Sequence, residues 1–343
     1  QFDIIGFSLL YELNYTNILS ILELSGIPFY AAQRDGAFPL IIGGGPCTCN
    51  PEPVADFFDA IVIGDGEKAV LELAEGWMEW KKNSGDDKDA LLKRWSKIEG
   101  VYIPSFFKPQ YDDCGFQTLK PQYPDYTQVT RTLVADLDQV PFPDKPTIPF
   151  GKPVHDRLRL EVARGCTRGC RFCQAGMIYR PVRERSPDSL LAICDQSVSA
   201  TGYEDLSLLS LSTGDYGCIV PLMSRLMSHY AAENVAVSLP SLRAGTLTPE
   251  LMKLIKTVRK TGFTIAPEAG SQRLRDVINK NISETEIMAT VKDAFDLGWQ
   301  VIKLYFMIGL PTETVEDLKA LEDLVKGLRK IKNPAGRRGK INV

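Results

Sequence analysis

ARGCTRGCRFCQAG, residues 163–176, places three cysteines at positions i, i+4 and i+7: Cys166, Cys170 and Cys173. A structural zinc site asks for four ligands, usually one C-x2-C paired with another or with H-x3-5-H. Zinc completed by His155 or a distant cysteine is the plainer reading, and the chain's having only two histidines, His155 and His229, counts against it. Three thiolates with one position left open are the donor set of an iron–sulfur centre that keeps one iron free for another ligand. The other five cysteines (Cys47, Cys49, Cys114, Cys194 and Cys218) are scattered, unlike a secreted disulfide framework. A clustered set in such a chain points to metal or redox chemistry in a reducing compartment, here the cytoplasm.

The cysteines follow a strand-like run, LRLEVARG, and a repeated strand–helix alternation continues from there. SPDSLLAICDQSVSATG reads as a helix with Ser186 as N-cap, Pro187 at its first position and Gly202 as its stop. DLSLLSLSTGD is a strand and CIVPLMSRLMSHYAAE a helix; NVAVSLPSLR is a strand, and TPELMKLIKTVRKTG is a helix capped by Thr248 and stopped at Gly262. FTIAPEAG is a strand, followed by a helix opened by a Ser283/Glu286 capping box. QVIKLYFMIGLP, a last helix and KINV complete six βα units. That pattern predicts a (βα)6 partial TIM-type barrel over residues 151–343, with chemistry at the carboxyl ends of its strands, where the cysteine loop lies.

Upstream, residues 1–80 alternate differently. FDIIGFSLL, PLIIGGGP and DAIVIGDGE are buried-type strands, the last two running into glycine turns, and NYTNILSILELSG and EKAVLELAEGWMEW are helical. The expectation is a partial doubly wound, flavodoxin- or Rossmann-like α/β domain with parallel strands and ligand-facing carboxyl ends. Residues 81–150 are rich in proline and aromatics and read as a connecting segment. The opening QFDIIGFSLL and the closing RRGKINV read as cut from a longer protein. Lys and Arg number 40 against 43 Asp and Glu, a net charge of −3, which gives no global case for a nucleic-acid binder. No apolar run reaches the roughly 18–20 residues of a membrane span, and no signal peptide is evident.

The cysteine loop, with Phe172 just before its last cysteine and a barrel strand before its first, resembles that of the radical S-adenosylmethionine (SAM) enzymes. The resemblance implies a 4Fe–4S cluster on Cys166, Cys170 and Cys173, whose open iron takes the amino nitrogen and carboxylate of SAM. Reductive cleavage to a 5′-deoxyadenosyl radical follows, with the electron supplied by a reductase or by a flavodoxin or ferredoxin. By place and type it further implies SAM contacts at Gly214 and Asp215 in LSTGD, where the usual family form is closer to Gly-Gly-Glu. Ser238 and Arg243 belong on and after the third strand, the Arg against the SAM carboxylate, bidentately where geometry allows. Glu268 belongs against the ribose, and MIGLPTE (307–313) along the adenine. Glu268 also has a plainer reading, as a carboxylate favoured by a helix start.

The first domain resembles the cobalamin-binding domain found ahead of many such barrels. Ser8 and Leu10 fit its Ser-x-Leu signature, Gly43, Gly44 and Gly45 its Gly-Gly signature, and Gly64 and Gly66 in GDGE its third glycine turn. Glycine lets main chain approach a ligand closely. The Asp-x-His-x-x-Gly segment, whose His can ligate cobalt, would lie before residue 1. Cys47 and Cys49 beside the glycines read as incidental small residues.

Eight arginines lie between Arg157 and Arg185, against two acids, Glu161 and Glu184. Such a field suits the SAM carboxylate, the cluster, or an anionic substrate such as RNA; a solvated face with cluster-tuning contacts is the plainer account, and no stacking-aromatic RNA module is evident. Three functions follow: a cobalamin-dependent radical SAM methyltransferase of unknown substrate; a radical SAM enzyme without cobalamin acting on RNA, protein or a metabolite; or a non-enzymatic metal- or nucleic-acid-binding module.

Overall fold

The computed structural model describes residues 2–343 apart from 84, 86, 152, 231, 232, 234, 239–242, 247, 259–262, 333–335, 337 and 338. The chain divides into two compact units, Gln1–Ala135 and Asp136–Val343.

In the first unit, β1 (Ile4–Ser8), β2 (Leu40–Gly44) and β3 (Ala60–Val62) run parallel in the order 1-2-3. Helix α1 (Tyr15–Leu24) lies between β1 and β2 in sequence, and α2 (Glu67–Lys82) and α3 (Lys88–Trp95) follow β3. Short β4 (Val101–Tyr102) pairs antiparallel with β3, so the sheet is not purely parallel as expected. A hairpin, β5 (Phe107–Tyr111) and β6 (Gln117–Pro121), follows. The segment expected to connect two domains is therefore divided. Its first part builds the first unit's core, with Leu91, Leu92, Trp95, Ile103, Phe106 and Tyr126 packed in one cluster with Ile41, Ile61 and Leu73. Asp59 explains part of this assembly. Its buried carboxylate accepts the Ile41 N–H at 2.7 Å and Arg34 at 3.0 Å, and pairs with Lys88 of α3 at 2.6 Å. A charge so far from water persists only with partners of this kind.

The second unit begins with the linker LDQVPFP, where Asp138 accepts the Ser186 N–H at 3.0 Å. Strands β7 (Leu158–Glu161), β8 (Ala163–Arg164) and β9 (Arg183–Glu184) bracket the cysteine loop and its one-turn helix α4 (Ala175–Ile178). Then come α5 (Pro187–Thr201), β10 (Asp205–Leu209), α6 (Ile219–Tyr230), β11 (Ala236–Ser238) and α7 (Pro249–Val258). After these follow β12 (Phe263–Glu268), α8 (Gln272–Val277), α9 (Glu284–Asp296), β13 (Val301–Phe306), α10 (Val315–Leu328) and β14 (Lys340–Asn342). Among the described residues the six barrel-type strands form two parallel three-stranded sheets, β7-β10-β11 and β12-β13-β14. One core serves both: Leu160, Leu208, Val237, Ile265, Leu304 and Ile341 share a cluster with residues of the helices between them.

Helix ends follow their sequence signals. The Ser186 hydroxyl accepts from Ser189 N, Thr248 from Leu251 N, and the Ser283/Glu286 box closes in both directions. Gly202 ends α5 in the left-handed conformation, φ 69°; Gly262, the expected stop of α7, lies outside the described residues. Strand alternation sets the two faces. Leu158, Leu160, Ile302 and Leu304 are buried against helices, whereas Arg159, Leu209, Lys303 and Tyr305 on the opposite face are exposed. A closed barrel fills that inner face with side chains; here it is open, next to the strands' carboxyl ends.

Candidate functional site

The cysteine loop leaves the sheet through a two-rung antiparallel neck, Ala163↔Glu184 and Arg164↔Arg183. Gly165 has φ 97°, and a Cβ there would lie 2.5 Å from the Tyr179 carbonyl and 2.7 Å from that of Pro181. Only glycine lets the two limbs approach so closely at that φ. Within the loop the Cys173 N–H donates to the Cys170 carbonyl at 3.0 Å. All three thiols are free; Cys166 and Cys170 are half-buried and Cys173 is exposed.

Arginines brace the loop. Arg168 Nε donates to Asp215 at 2.7 Å, and its Nη2 donates to the second oxygen of the same carboxylate. Asp215 sits in the turn Thr213–Asp215 after β10, with Gly214 beside it, and also accepts the Ser212 hydroxyl at 2.6 Å. Burial alone would raise the Asp215 pKa; the guanidinium and the hydroxyl outweigh it and hold the carboxyl below its usual range. Arg164 makes a two-point contact with Glu161, Arg171 donates to the Val277 carbonyl at 2.5 Å, and Arg185 to that of Leu137. These basic residues are committed to holding the fold. The solvated cationic face is not what most of them form.

A second wall comes from the end of α8 and the turn after it, residues 277–281, which the sequence reading did not single out. Asn279 Nδ2 donates to the Gly169 carbonyl at 2.8 Å, and the Arg171 N–H to that of Ile278 at 2.9 Å. Asn279 and Asn281 both adopt positive φ, 53° and 50°. Asn tolerates that region better than most residues, and VINKN between two helices was the sequence signal that could have marked it. Lys280 Nζ lies 3.1 Å from a Glu268 carboxylate oxygen and 5.6 Å from the Phe172 ring centroid. Phe172 of the cysteine loop and Glu268 at the end of β12 thus meet through one ammonium. Glu268 has φ 68°, at a shift in the β12–β13 register, and its carbonyl accepts the Met307 N–H at 2.8 Å. The unusual backbone turns its carboxylate toward Lys280. It does not open a helix, whose N-cap is Ser271.

Of the residues expected to hold SAM, Asp215 is tied to the cysteine loop through Arg168, Phe172 and Glu268 are linked through Lys280, and Arg243 bonds the Asn281 carbonyl of the same turn. Ser238 stands apart from that network: its hydroxyl donates to the Leu206 carbonyl of the neighbouring strand at 3.2 Å. In MIGLPTE, Leu310 packs with Ala269, Leu274 and Ile278, while Ile308 is exposed. Behind Glu268, Asp317 is buried, accepting Ser271 and Arg273 side chains and the Thr314 N–H at 2.9 Å. The Arg273 and Ser271 contacts hold its pKa well below the usual carboxylate range. A depressed folded-state pKa stabilises the fold fully above the unfolded value, about 3.9, and that contribution is lost as pH falls below it. The melting-temperature gap between the native chain and Asp317→Asn should accordingly stay constant from pH 7 to 5 and narrow through pH 4 toward 3. A gap unchanged at pH 3 would refute the assignment.

The donor set suits an iron–sulfur cluster. Among the described residues no three His, Cys, Asp or Glu side chains converge to share one metal ion; a cluster takes one thiolate per iron and needs no such convergence.

In the first unit three of the glycines expected to face a ligand lie close to the chain's own atoms. A Cβ on Gly64 (φ 111°) would lie 2.1 Å from the Thr132 carbonyl, one on Gly45 3.0 Å from that of Leu9, and one on Gly43 3.2 Å from the Phe58 ring. These three let the chain approach itself. Gly44 has nothing within 4 Å, and Gly66 precedes α2 as its N-cap. Ser8 ends β1 opposite Gly44, and Leu10 is exposed.

Residues 1–104 match the family model described as "Radical SAM proteins, N-terminal", and residues 160–325 match that of the radical SAM superfamily. The chain belongs to the radical SAM superfamily, and with that membership come a 4Fe–4S cluster and SAM. An uncharacterized protein of Methanocaldococcus jannaschii is 34% identical over 331 residues, covering 96% of this chain and 64% of that protein. The ribosomal protein uS12 methylthiotransferase RimO of a Thermoanaerobacter species is 24% identical over 179 residues, covering 50% of this chain and 40% of its own length. The chain thus spans under two thirds of the relatives it matches. Among solved structures, the radical SAM methyltransferase TsrM of Kitasatospora setae, with cobalamin and a [4Fe-4S] cluster bound, aligns at TM-score 0.64 and 14% identity. That alignment covers 95% of this chain and 62% of TsrM. The cobalamin-dependent radical enzyme OxsB aligns at TM-score 0.64 and 16% identity, over 94% of this chain and 43% of OxsB. Both are likenesses of fold. No helix among the described residues is long and apolar enough to cross a membrane.

Proposed function

We propose that this chain carries the catalytic core of a cobalamin-dependent radical SAM methyltransferase. The observation that carries the radical SAM part is the neck-closed loop at the carboxyl end of β7, which presents three free thiols and is braced by Arg168 on Asp215. Cys166, Cys170 and Cys173 would hold the cluster, which supplies the electron that cleaves SAM. The chain's own residues do the rest. Phe172, Lys280 and Glu268 line one wall; Glu268 offers a carboxylate to hydroxyl donors such as those of a ribose, and Lys280 pairs with it at 3.1 Å. Arg168 and Asp215 fix the loop against β10. The open inner face, with Lys303 and Tyr305, leaves room for a substrate. An electron donor of the flavodoxin or ferredoxin type is the partner this chemistry calls for. The test is anaerobic reconstitution with iron and sulfide, then SAM and a reductant, with 5′-deoxyadenosine quantified. A verified cluster that yields none, with every candidate substrate class supplied, would count against the reading.

Methyl transfer through cobalamin rests on the likeness to TsrM and OxsB over nearly the whole chain. One observation favours the second reading, an enzyme without bound cobalamin: Gly43, Gly45 and Gly64 are filled by Phe58, Leu9 and Thr132. Cobalt content decides between them. Protein loaded with hydroxocobalamin and gel-filtered should retain about one cobalt per chain, as one site binds one ligand. Cobalt at background, with SAM cleavage intact, would establish the second reading.

A further inference from the structure

Helix α8 ends in a left-handed turn of the kind that glycine ordinarily supplies. The Lys280 N–H donates to the Arg275 carbonyl at 2.8 Å and the Asn279 N–H to that of Asp276 at 3.0 Å, and Asn279 itself has φ 53°. These are the two bonds of a Schellman stop, whose left-handed residue is most often glycine because a Cβ is strained there. Asn is more tolerant than most residues but still carries a Cβ, so the reason for a side chain at this position lies outside the helix. Its amide supplies that reason. Asn279 Nδ2 donates to the Gly169 carbonyl at 2.8 Å, and Asn281 Nδ2 donates to Asn279 Oδ1 at 3.0 Å. The second bond occupies the amide oxygen and leaves the NH2 group toward Gly169.

The turn is itself held in place. Arg275 is fully buried, and its guanidinium donates to the carbonyls of Ala269 at 3.1 Å and Gly270 at 2.7 Å ahead of α8, and to that of Ile282 at 2.9 Å beyond the turn. Arg243 Nη2 donates to the Asn281 carbonyl at 2.7 Å and to that of Lys280. From this base two bonds reach the peptides on either side of Cys170. Asn279 takes the Gly169 carbonyl, in the peptide before it, and the Ile278 carbonyl accepts the Arg171 N–H at 2.9 Å, in the peptide after it. Peptides are planar, so the soft backbone torsions of a residue are the φ and ψ between its two planes. Holding both planes fixes the direction in which the Cys170 side chain leaves the loop. The Cys170 carbonyl lies in the second plane and accepts the Cys173 N–H at 3.0 Å, which carries the constraint on to the last cysteine. We propose that Asn279 is a positioning residue for the middle cysteine, with Asn281 orienting its amide. This inference rests on the reading of the three cysteines as cluster ligands. A thiolate already held in its ligating direction needs no reordering when iron binds, and groups that orient ligands in this way tighten metal binding.

The test uses the full chain, reconstituted anaerobically with iron and sulfide and then gel-filtered. It reads the rate at which EDTA strips the cluster, beside the melting temperature of the cluster-free chain. Asn279→Gly should lose its cluster about tenfold faster than the native chain, the lower end for removing a group that orients a metal ligand. Its cluster-free melting temperature should stay within about 4 °C of native, because glycine suits the left-handed position and only one ordinary hydrogen bond is lost. Asn281→Gly leaves Asn279 in place but frees its amide to turn, and should lose cluster at an intermediate rate. Asn279→Asp sets a carboxylate oxygen against the Gly169 carbonyl and should lose it at least as fast as Asn279→Gly. A native rate in Asn279→Gly overturns the proposal. So does a fall of roughly 10 °C or more in its cluster-free melting temperature, which would make Asn279 a residue of the fold alone. If Asn279→Gly does not fold, the comparison rests on Asn281→Gly, where a native rate overturns the proposal. A native chain that assembles no cluster is a different result, the failure of the three-cysteine reading beneath.

Discussion

Cys170→Ala should abolish both the cluster and SAM cleavage, bringing 5′-deoxyadenosine to the level of a reaction without protein. Cys170 is the middle thiol, and its carbonyl closes the turn to Cys173. Two cysteines cannot replace three, because each cluster iron takes its own thiolate and the iron facing position 170 would lose its ligand. Cys114→Ala is the matched control. It lies exposed in the turn between β5 and β6 and should leave cluster and product unchanged. Product from Cys170→Ala at native levels would mean that these thiols are not the ligands. Equal loss in both variants would point to general thiol damage.

The second large effect is expected at a residue with no functional group. Gly270 follows Glu268 by two positions, and a Cβ there would lie 2.2 Å from both Cα and N of Leu321 in α10. Those are backbone atoms of a helix and cannot swing aside as a side-chain tip can. Gly270→Ala should cost about 3 kcal/mol, at the upper end for overpacking. In a unit of this size that lowers the melting temperature by on the order of 10 °C. The strain also falls on the end of β12, so the variant should bind SAM more weakly even well below its melting temperature. A melting temperature within a degree or two of the native value would mean that α10 shifts freely and that the close packing does not hold Glu268 in place.

The two predictions differ in how visible they were. The cysteine spacing and the strand before it are local patterns, and so are the caps at Ser186, Thr248 and Ser283, which behave as their residue types require. Arg243 was legible as a basic residue in the right place, but its role was not. Whether a guanidinium has a free fork depends on which carbonyls surround it, and those come from a turn some 38 residues away. The glycines of the first unit carry the same lesson in reverse. Gly43, Gly45 and Gly64 read as ligand-facing because glycine permits close approach, yet close approach by the chain itself leaves the identical signature.

Sequence alone determined the alternation of strands and helices, the cysteine loop at the end of the first barrel strand, and the superfamily that loop belongs to. All of these are short-range: they depend on hydrophobic period, capping residues and spacing within one loop. Tertiary structure decided the division of the chain at Ala135, the antiparallel edge at β4, and the site's second wall at Asn279, Lys280 and Asn281. It also decided which arginines pair with carboxylates and which brace carbonyls. Each of these is settled by contacts between residues far apart in the chain. The energy of such a contact depends on what is buried beside it, and no window of sequence holds that information.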